Sequence, residues 1–279
     1  MKKTMISFVF VIAGTYLTLA GIMYVAQRSF QYFPQQSVNT GFEDPAKFGL
    51  DGFVAASIAT DDGETLKSWL ALPPKPDAPV ILYMHGNAGT LGARAERFRV
   101  FQQEGFGVLV LSWRGYGGSS GSPSESGLIE DGRAAMKFLQ QKGIPASRVI
   151  LFGESLGTGV ATQLAANPDT SPLAVILEAP YTSAADVART RYWFLPVGLL
   201  MKDQYRSIDF AAKITAPVFV FHGTTDRIIP YEQGKRLYDA FTGPKEFLRM
   251  DGNGHIDPLT QVSWRAIKDF LKANGAAPN

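Results

Sequence analysis

The chain has 279 residues, enough for one large core, with hydrophobic residues at 46% and charged ones at 19%. A net charge of +2 with no dense basic stripe argues against a nucleic-acid partner. With no cysteine there is no disulfide, thiol nucleophile or thiolate-held metal; His85, His222 and His255 form no H-x-x-x-H pair, so neither a zinc site nor any cofactor is expected.

Residues 5–26 are uncharged. As a helix that run is about 33 Å long, against about 30 Å of bilayer hydrocarbon. Lys2 and Lys3 precede it and Arg28 follows, so 1–27 is predicted as one transmembrane or signal-anchor segment. The two lysines favour an N-inside orientation, placing the remainder on the extracytoplasmic side, the periplasm in a bacterium. Two other readings stay open. A signal peptide could be cut after Ala20, although the apolar run exceeds the usual h-region of about 7–15 residues. A buried core helix is the other. Residues 28–50, broken by Pro34 and Pro45, read as a juxtamembrane connector, and 51–279 as the globular domain.

Strands are predicted at 54–58 and 65–72 around an Asp61, Asp62, Gly63 turn, then at 79–84, 107–112, 148–152, 173–177, 217–221 and 246–250. Helices are predicted at 90–104, 124–141, 156–166, 231–241 and 261–273. Continuous apolar strands alternating with helices imply an α/β fold, a mainly parallel sheet covered on both faces with an antiparallel hairpin at one edge. Function in such sheets sits beyond the carboxyl ends of the strands.

Gly153, Glu154, Ser155, Leu156 and Gly157 match G-x-S-x-G between a predicted strand and a predicted helix, the setting of a nucleophile elbow. In that arrangement the acid and then the histidine follow the serine along the chain. His255, on a glycine-rich loop between the last strand and last helix, is the better base; His222 reads as a packed strand-end residue. Asp226, just past the 217–221 strand, is the first-ranked acid, with Glu178 the alternative. The backbone N–H groups of Leu156 and of Asn87, in the glycine-rich loop 85–89, are the expected oxyanion donors, each contributing on the order of 3 kcal/mol. His85 reads as structural. The glycine-rich stretch 114–121 completes neither a P-loop nor G-x-G-x-x-G and reads as a site-edge loop.

Taken together, the loop 85–89, Arg114 to Gly118, the serine motif 153–157, the stretch from His222 to Asp226, and Gly254 with His255 resemble the α/β-hydrolase superfamily. More narrowly, over roughly 30–273, the chain resembles the membrane-anchored bud-emergence-type branch. The resemblance implies the α/β-hydrolase fold and a Ser-His-Asp triad. It leaves the substrate open, because the family includes esterases, lipases, thioesterases and peptidases.

An insertion at about 180–213, with an apolar run from Tyr192 to Met201, is expected to form a short cap and suggests an acyl or other hydrophobic substrate. Ordinary packing onto the sheet is the competing reading. The expected activity is hydrolysis of carboxylic esters or thioesters through an acyl-enzyme on Ser155, His255 and Asp226. Its expected partners are a small or lipid-like acyl substrate and the membrane. A serine peptidase on the same triad and a catalytically silent membrane-bound scaffold are the alternatives.

Overall fold

The chain lays down eight strands: β1 (Val54–Ala59), β2 (Thr65–Ala71), β3 (Val80–Met84), β4 (Gly107–Leu111), β5 (Val149–Glu154), β6 (Ala174–Glu178), β7 (Val218–Gly223) and β8 (Lys245–Met250). They form one sheet in the order β1-β2-β4-β3-β5-β6-β7-β8. β2 pairs antiparallel with β1 and β4, and every other neighbouring pair is parallel. The computed structural model describes residues 2–34, 42–257 and 259–278, without the side chains of Lys2 and Lys3. The lysine side chains behind the orientation expectation, and residues 35–41 of the expected connector, therefore lie outside the described residues.

Side chains leave a strand alternately to its two faces, and the core divides accordingly. Val80, Leu82 and Met84 of β3 join one apolar cluster with α3 (Glu125–Gln141), α4 (Leu156–Ala165) and α8 (Tyr231–Ala240). Ile81 and Tyr83 join another with α2 (Ala95–Gln103) and α9 (Gln261–Ala273). Burial on both faces is why β3, β4 and β5 read as unbroken apolar runs in the sequence.

The predicted elements match the observed ones closely. The helix expected over 90–104 is shorter, a 3₁₀ turn at Gly92–Arg94 followed by α2. The reason is local: Arg94 donates to the carbonyls of Ala88 and Thr90, and Glu43 accepts from the Gly92 N–H, so this stretch is tied outward instead of wound into a helix. The insertion forms three short helices, α5 (Ala184–Arg191), α6 (Val197–Leu200) and α7 (Ile208–Ala211).

The first helix, α1 (Lys2–Gln31), runs four residues beyond the expected end of the anchor at 27. Its N-terminal portion is exposed, whereas its last turns pack on the insertion. Arg28 pairs with Asp203, and just beyond the helix the Tyr32 hydroxyl meets that of Tyr205 at 3.0 Å with both rings buried. The described parts of 28–50 are likewise bonded to the domain, with Leu50 and Pro45 buried and the Glu43 carbonyl accepting from the Trp69 indole.

Every parallel strand ends at the same edge. Between β3 and β5 the chain switches direction of travel across the sheet, which opens a crevice there.

Candidate active site

Ser155 sits in that crevice, between the end of β5 and the start of α4, with φ 50° and ψ −113°. A non-glycine residue in this region carries strain on the order of 1–3 kcal/mol. Neighbouring glycines permit it. A Cβ on Gly157 would lie 2.0 Å from the Met84 carbonyl oxygen, and one on Gly153 would lie 2.7 Å from that of Gly157. The Ser155 N–H is anchored on the Glu178 carbonyl at 2.9 Å.

The loop after β8 brings His255 over the sheet edge, with Nε2 2.8 Å from Ser155 Oγ. Its Nδ1 lies 2.7 Å from Asp226 Oδ2. That loop crosses directly over the end of β7, where a Cβ on Gly223 would stand 2.1 Å from the Gly254 carbonyl oxygen. Asp226 is pinned through its other oxygen, which accepts the N–H groups of Ile228 at 2.8 Å and Ile229 at 2.9 Å. Burial alone would raise the Asp226 carboxyl. Hydrogen bonds from His222 and His255 outweigh it and hold the group well below the ordinary carboxylate range. An ionised Asp226 can only accept, so His255 carries its proton on Nδ1 and turns the Nε2 lone pair toward the Ser155 hydroxyl.

His222 adds a contact that its sequence position did not reveal. Its Nε2 lies 3.1 Å from Asp226 Oδ2 and 3.0 Å from the Ile229 carbonyl oxygen. A carbonyl accepts only, so Nε2 carries the proton and is shared between the two. His222 is packed, as expected of a strand-end residue, and it is also a second imidazole donor to Asp226. The i,i+4 spacing of His222 and Asp226 across the turn after β7 was the available signal.

Asn87 and Leu156 line the same cavity as Ser155, and among the described residues neither backbone N–H is engaged by a protein acceptor. The loop carrying Asn87 is held from behind by Glu154. Glu154 accepts the Gly86 N–H at 3.1 Å, Arg94 Nε at 2.8 Å and Arg94 Nη2 at 2.5 Å. Burial opposes ionisation of Glu154, but Arg94 dominates and keeps its carboxyl far below its ordinary value. The motif's variable residue thus ties the loop after β3 to the elbow after β5. The 114–121 stretch also touches this loop, since the Tyr116 hydroxyl donates to the Asn87 carbonyl at 3.0 Å.

The alternatives are placed elsewhere. Glu178 is buried against Arg97 and accepts the Asp257 N–H at 2.8 Å, so it is committed away from His255. His85 is fully buried beside Trp113, whose indole donates to the His85 carbonyl. Burial, aided by Arg94, pushes the His85 imidazole down to about 3, so the ring is neutral and structural. No group of three or more metal-binding side chains occurs among the described residues.

A cavity of about 280 Å³ opens beside Ser155. Its walls are mainly apolar: Leu195 and Val197 from the insertion, Ile228 from the loop after β7, and Met23 and Phe30 from α1. Asp203, Arg206 and Asp209 do not enter it; Arg206 and Asp209 pair with each other at the surface.

Residues 79–200 match the family described as alpha/beta hydrolase fold. An uncharacterized protein of Mycobacterium tuberculosis is 37% identical over 269 residues, covering 94% of each chain. Protein bem46 of Schizosaccharomyces pombe is 32% identical over 92% of this chain and 90% of its own. The lysophosphatidylserine lipase ABHD12 of Danio rerio is 31% identical over 81% of this chain and 60% of its own. Among solved structures, a Pyrococcus furiosus esterase superposes with a TM-score of 0.67 at 20% identity, covering 84% of this chain and 94% of its own. Fold, elbow and relatives agree that this chain belongs to the α/β-hydrolase superfamily, in its bem46-like branch.

Proposed function

We propose that the chain is a membrane-anchored serine hydrolase that cleaves carboxylic esters or thioesters of hydrophobic acyl groups. The observation that carries the reading is the unbroken hydrogen-bond relay from Ser155 through His255 to Asp226, opening onto a mainly apolar cavity.

The chemistry follows from the geometry. Ser155 Oγ attacks the acyl carbon while His255 Nε2 takes its proton. The N–H groups of Asn87 and Leu156, two residues of the cavity wall, take the oxyanion. The bond to the alkoxide or thiolate breaks, and His255 returns the proton to that leaving group. Water, deprotonated by the same imidazole, then releases the acid and restores Ser155. Asp226 stays ionised throughout, fixing the tautomer and stabilising the imidazolium. The apolar walls favour an acyl chain, in keeping with a relative named as a lysophosphatidylserine lipase. We assign residues 1–27 to the membrane, 28–50 to a link packed on the domain, and 51–279 to the extracytoplasmic hydrolase domain.

Purified protein in detergent should hydrolyse p-nitrophenyl acyl esters and acyl thioesters, and Ser155→Ala should lose at least about 10³-fold in rate. A Ser155→Ala variant as active as the parent would refute the assignment. Peptide anilides cleaved as fast as the esters would establish the peptidase alternative instead. Absence of turnover on every substrate would favour the scaffold.

A further inference from the structure

The insertion does not simply cover the pocket; it is docked along α1 at several heights. Tyr16 donates its hydroxyl to the Phe194 carbonyl at 2.9 Å. Ala20 and Met23 pack against Leu195 and Val197. Near the end of the helix, Gln27 bonds the Leu200 carbonyl and the Lys202 N–H, and Lys202 Nζ sits 4.3 Å from the centre of the Tyr24 ring. Helix rise turns these contacts into a depth scale. The stretch ahead of the first contact, from Thr4 to Thr15, is only about 18 Å long, too short to cross about 30 Å of hydrocarbon. From Thr4 to Met23 it is about 30 Å, which matches. If α1 spans a bilayer, the water boundary therefore falls near Tyr24, and Phe194, level with Tyr16, lies about 12 Å inside it.

The side chains at each height fit that depth. At the inner level Trp193 is 81% exposed and Phe194 42%, and toward the boundary, one residue before the Leu200 that meets Gln27, Leu199 is 86% exposed, an apolar strip that no described residue covers. At the outer level stand the exposed cations Lys202, over the Tyr24 ring, and Arg28, one turn further along α1, as expected where long basic side chains reach headgroups. The cavity beside Ser155 is walled by Met23, Tyr24 and Gln27, at the boundary itself. Ester carbonyls of bilayer lipids also lie there, between headgroup and chains.

The geometry points to an insertion immersed in the outer leaflet, with α1 as one wall of the acyl pocket, so that an ester lipid enters Ser155's cavity laterally from the bilayer. The occupant of the exposed strip is lipid acyl chain. The inference rests on the serine-hydrolase reading for its chemistry and on the depth argument for its geometry, and the two can be tested apart.

The full chain is reconstituted in phosphatidylcholine vesicles, and tryptophan emission is quenched with brominated-acyl phosphatidylcholine or with aqueous acrylamide. Trp69 and Trp113 are fully buried and Trp264 is nearly so, leaving Trp193 as the exposed tryptophan. Brominated lipid should quench the parent and lose that effect in Trp193→Phe, while acrylamide quenches little. The reverse pattern, Trp193 quenched by acrylamide and not by brominated lipid, overturns the immersion. In the same vesicles Trp193→Ser combined with Leu199→Ser should slow hydrolysis of a membrane-dissolved palmitoyl ester by about tenfold or more, since each apolar side chain withdrawn from lipid is worth about that factor. Hydrolysis of soluble p-nitrophenyl acetate should stay within about twofold, because neither residue lines the cavity. Equal effects on both esters overturn lateral entry. Lipid quenching without hydrolysis of either ester would remove the hydrolase reading and leave the immersion standing.

Discussion

Asp226 accepts four hydrogen bonds, two from backbone N–H groups and one from each of two imidazoles. The backbone pair fixes the carboxylate's orientation, and in the proposed mechanism that carboxylate holds the His255 tautomer. In the proposed mechanism His222, in contact with Asp226 and not with Ser155, acts as a positioning residue. Replacing it by leucine keeps most of the volume and removes one donor to a charged acceptor, a bond worth about 1.5–3 kcal/mol. His222→Leu should therefore lower kcat on p-nitrophenyl esters by roughly tenfold with KM unchanged. An unaltered kcat would reduce His222 to packing alone. At this scale the sequence was informative where chemistry and spacing coincide. Ser155 announces itself by its glycines and His255 by its loop. Asp226 stands out by its place after a strand. The second bond of His222 was hidden because a histidine at a strand end looks the same whether it packs or donates.

The elements that carry these residues are joined by buried charges. Glu154 on β5 grips Arg94 and the loop after β3, and Glu178 on β6 grips Arg97 of α2 and the loop that follows His255. These pairs link residues dozens of positions apart, which is why periodicity revealed the strands and helices but not their cross-links. The central strands β3 to β7 were legible because burial on both faces demands unbroken apolar runs. The start of α2 was not, since Arg94 and Glu43 divert the preceding stretch from helical bonding. The Glu154 pair has a measurable pH signature. Arg94 holds the folded-state pKa below the unfolded value of about 4.3, so its contribution is fully present above that pH and is lost as pH falls through the folded value. Glu154→Gln leaves Arg94 unpaired and should cost on the order of 3 kcal/mol at pH 7. Urea unfolding between pH 7 and pH 3 should show the variant losing less additional stability on acidification than the parent. Parallel curves would mean that the pair contributes nothing pH-dependent.

On the scale of the whole molecule, the N-terminal helix is both a candidate membrane span and a wall of the cavity. Its composition declared the first property. The second was invisible in sequence, because an apolar helix without a polar face gives no periodic sign of which side meets protein. Met23 is where the two properties meet, packed on the insertion and facing the cavity. Met23→Trp should shorten the pocket, lowering kcat/KM for palmitoyl esters by about tenfold while sparing acetyl esters, since each excluded methylene is worth about 0.8 kcal/mol. An unchanged chain-length profile would separate α1 from substrate binding.

The relay at the strand ends is tested most directly by trapping the covalent intermediate. Full-length protein is treated with a fluorophosphonate, digested, and the adduct located by mass spectrometry. The expected result is one adduct on the peptide containing Ser155, absent in Ser155→Ala and strongly slowed in His255→Gln. An adduct on a different residue, or undiminished labelling of Ser155→Ala, would contradict the account.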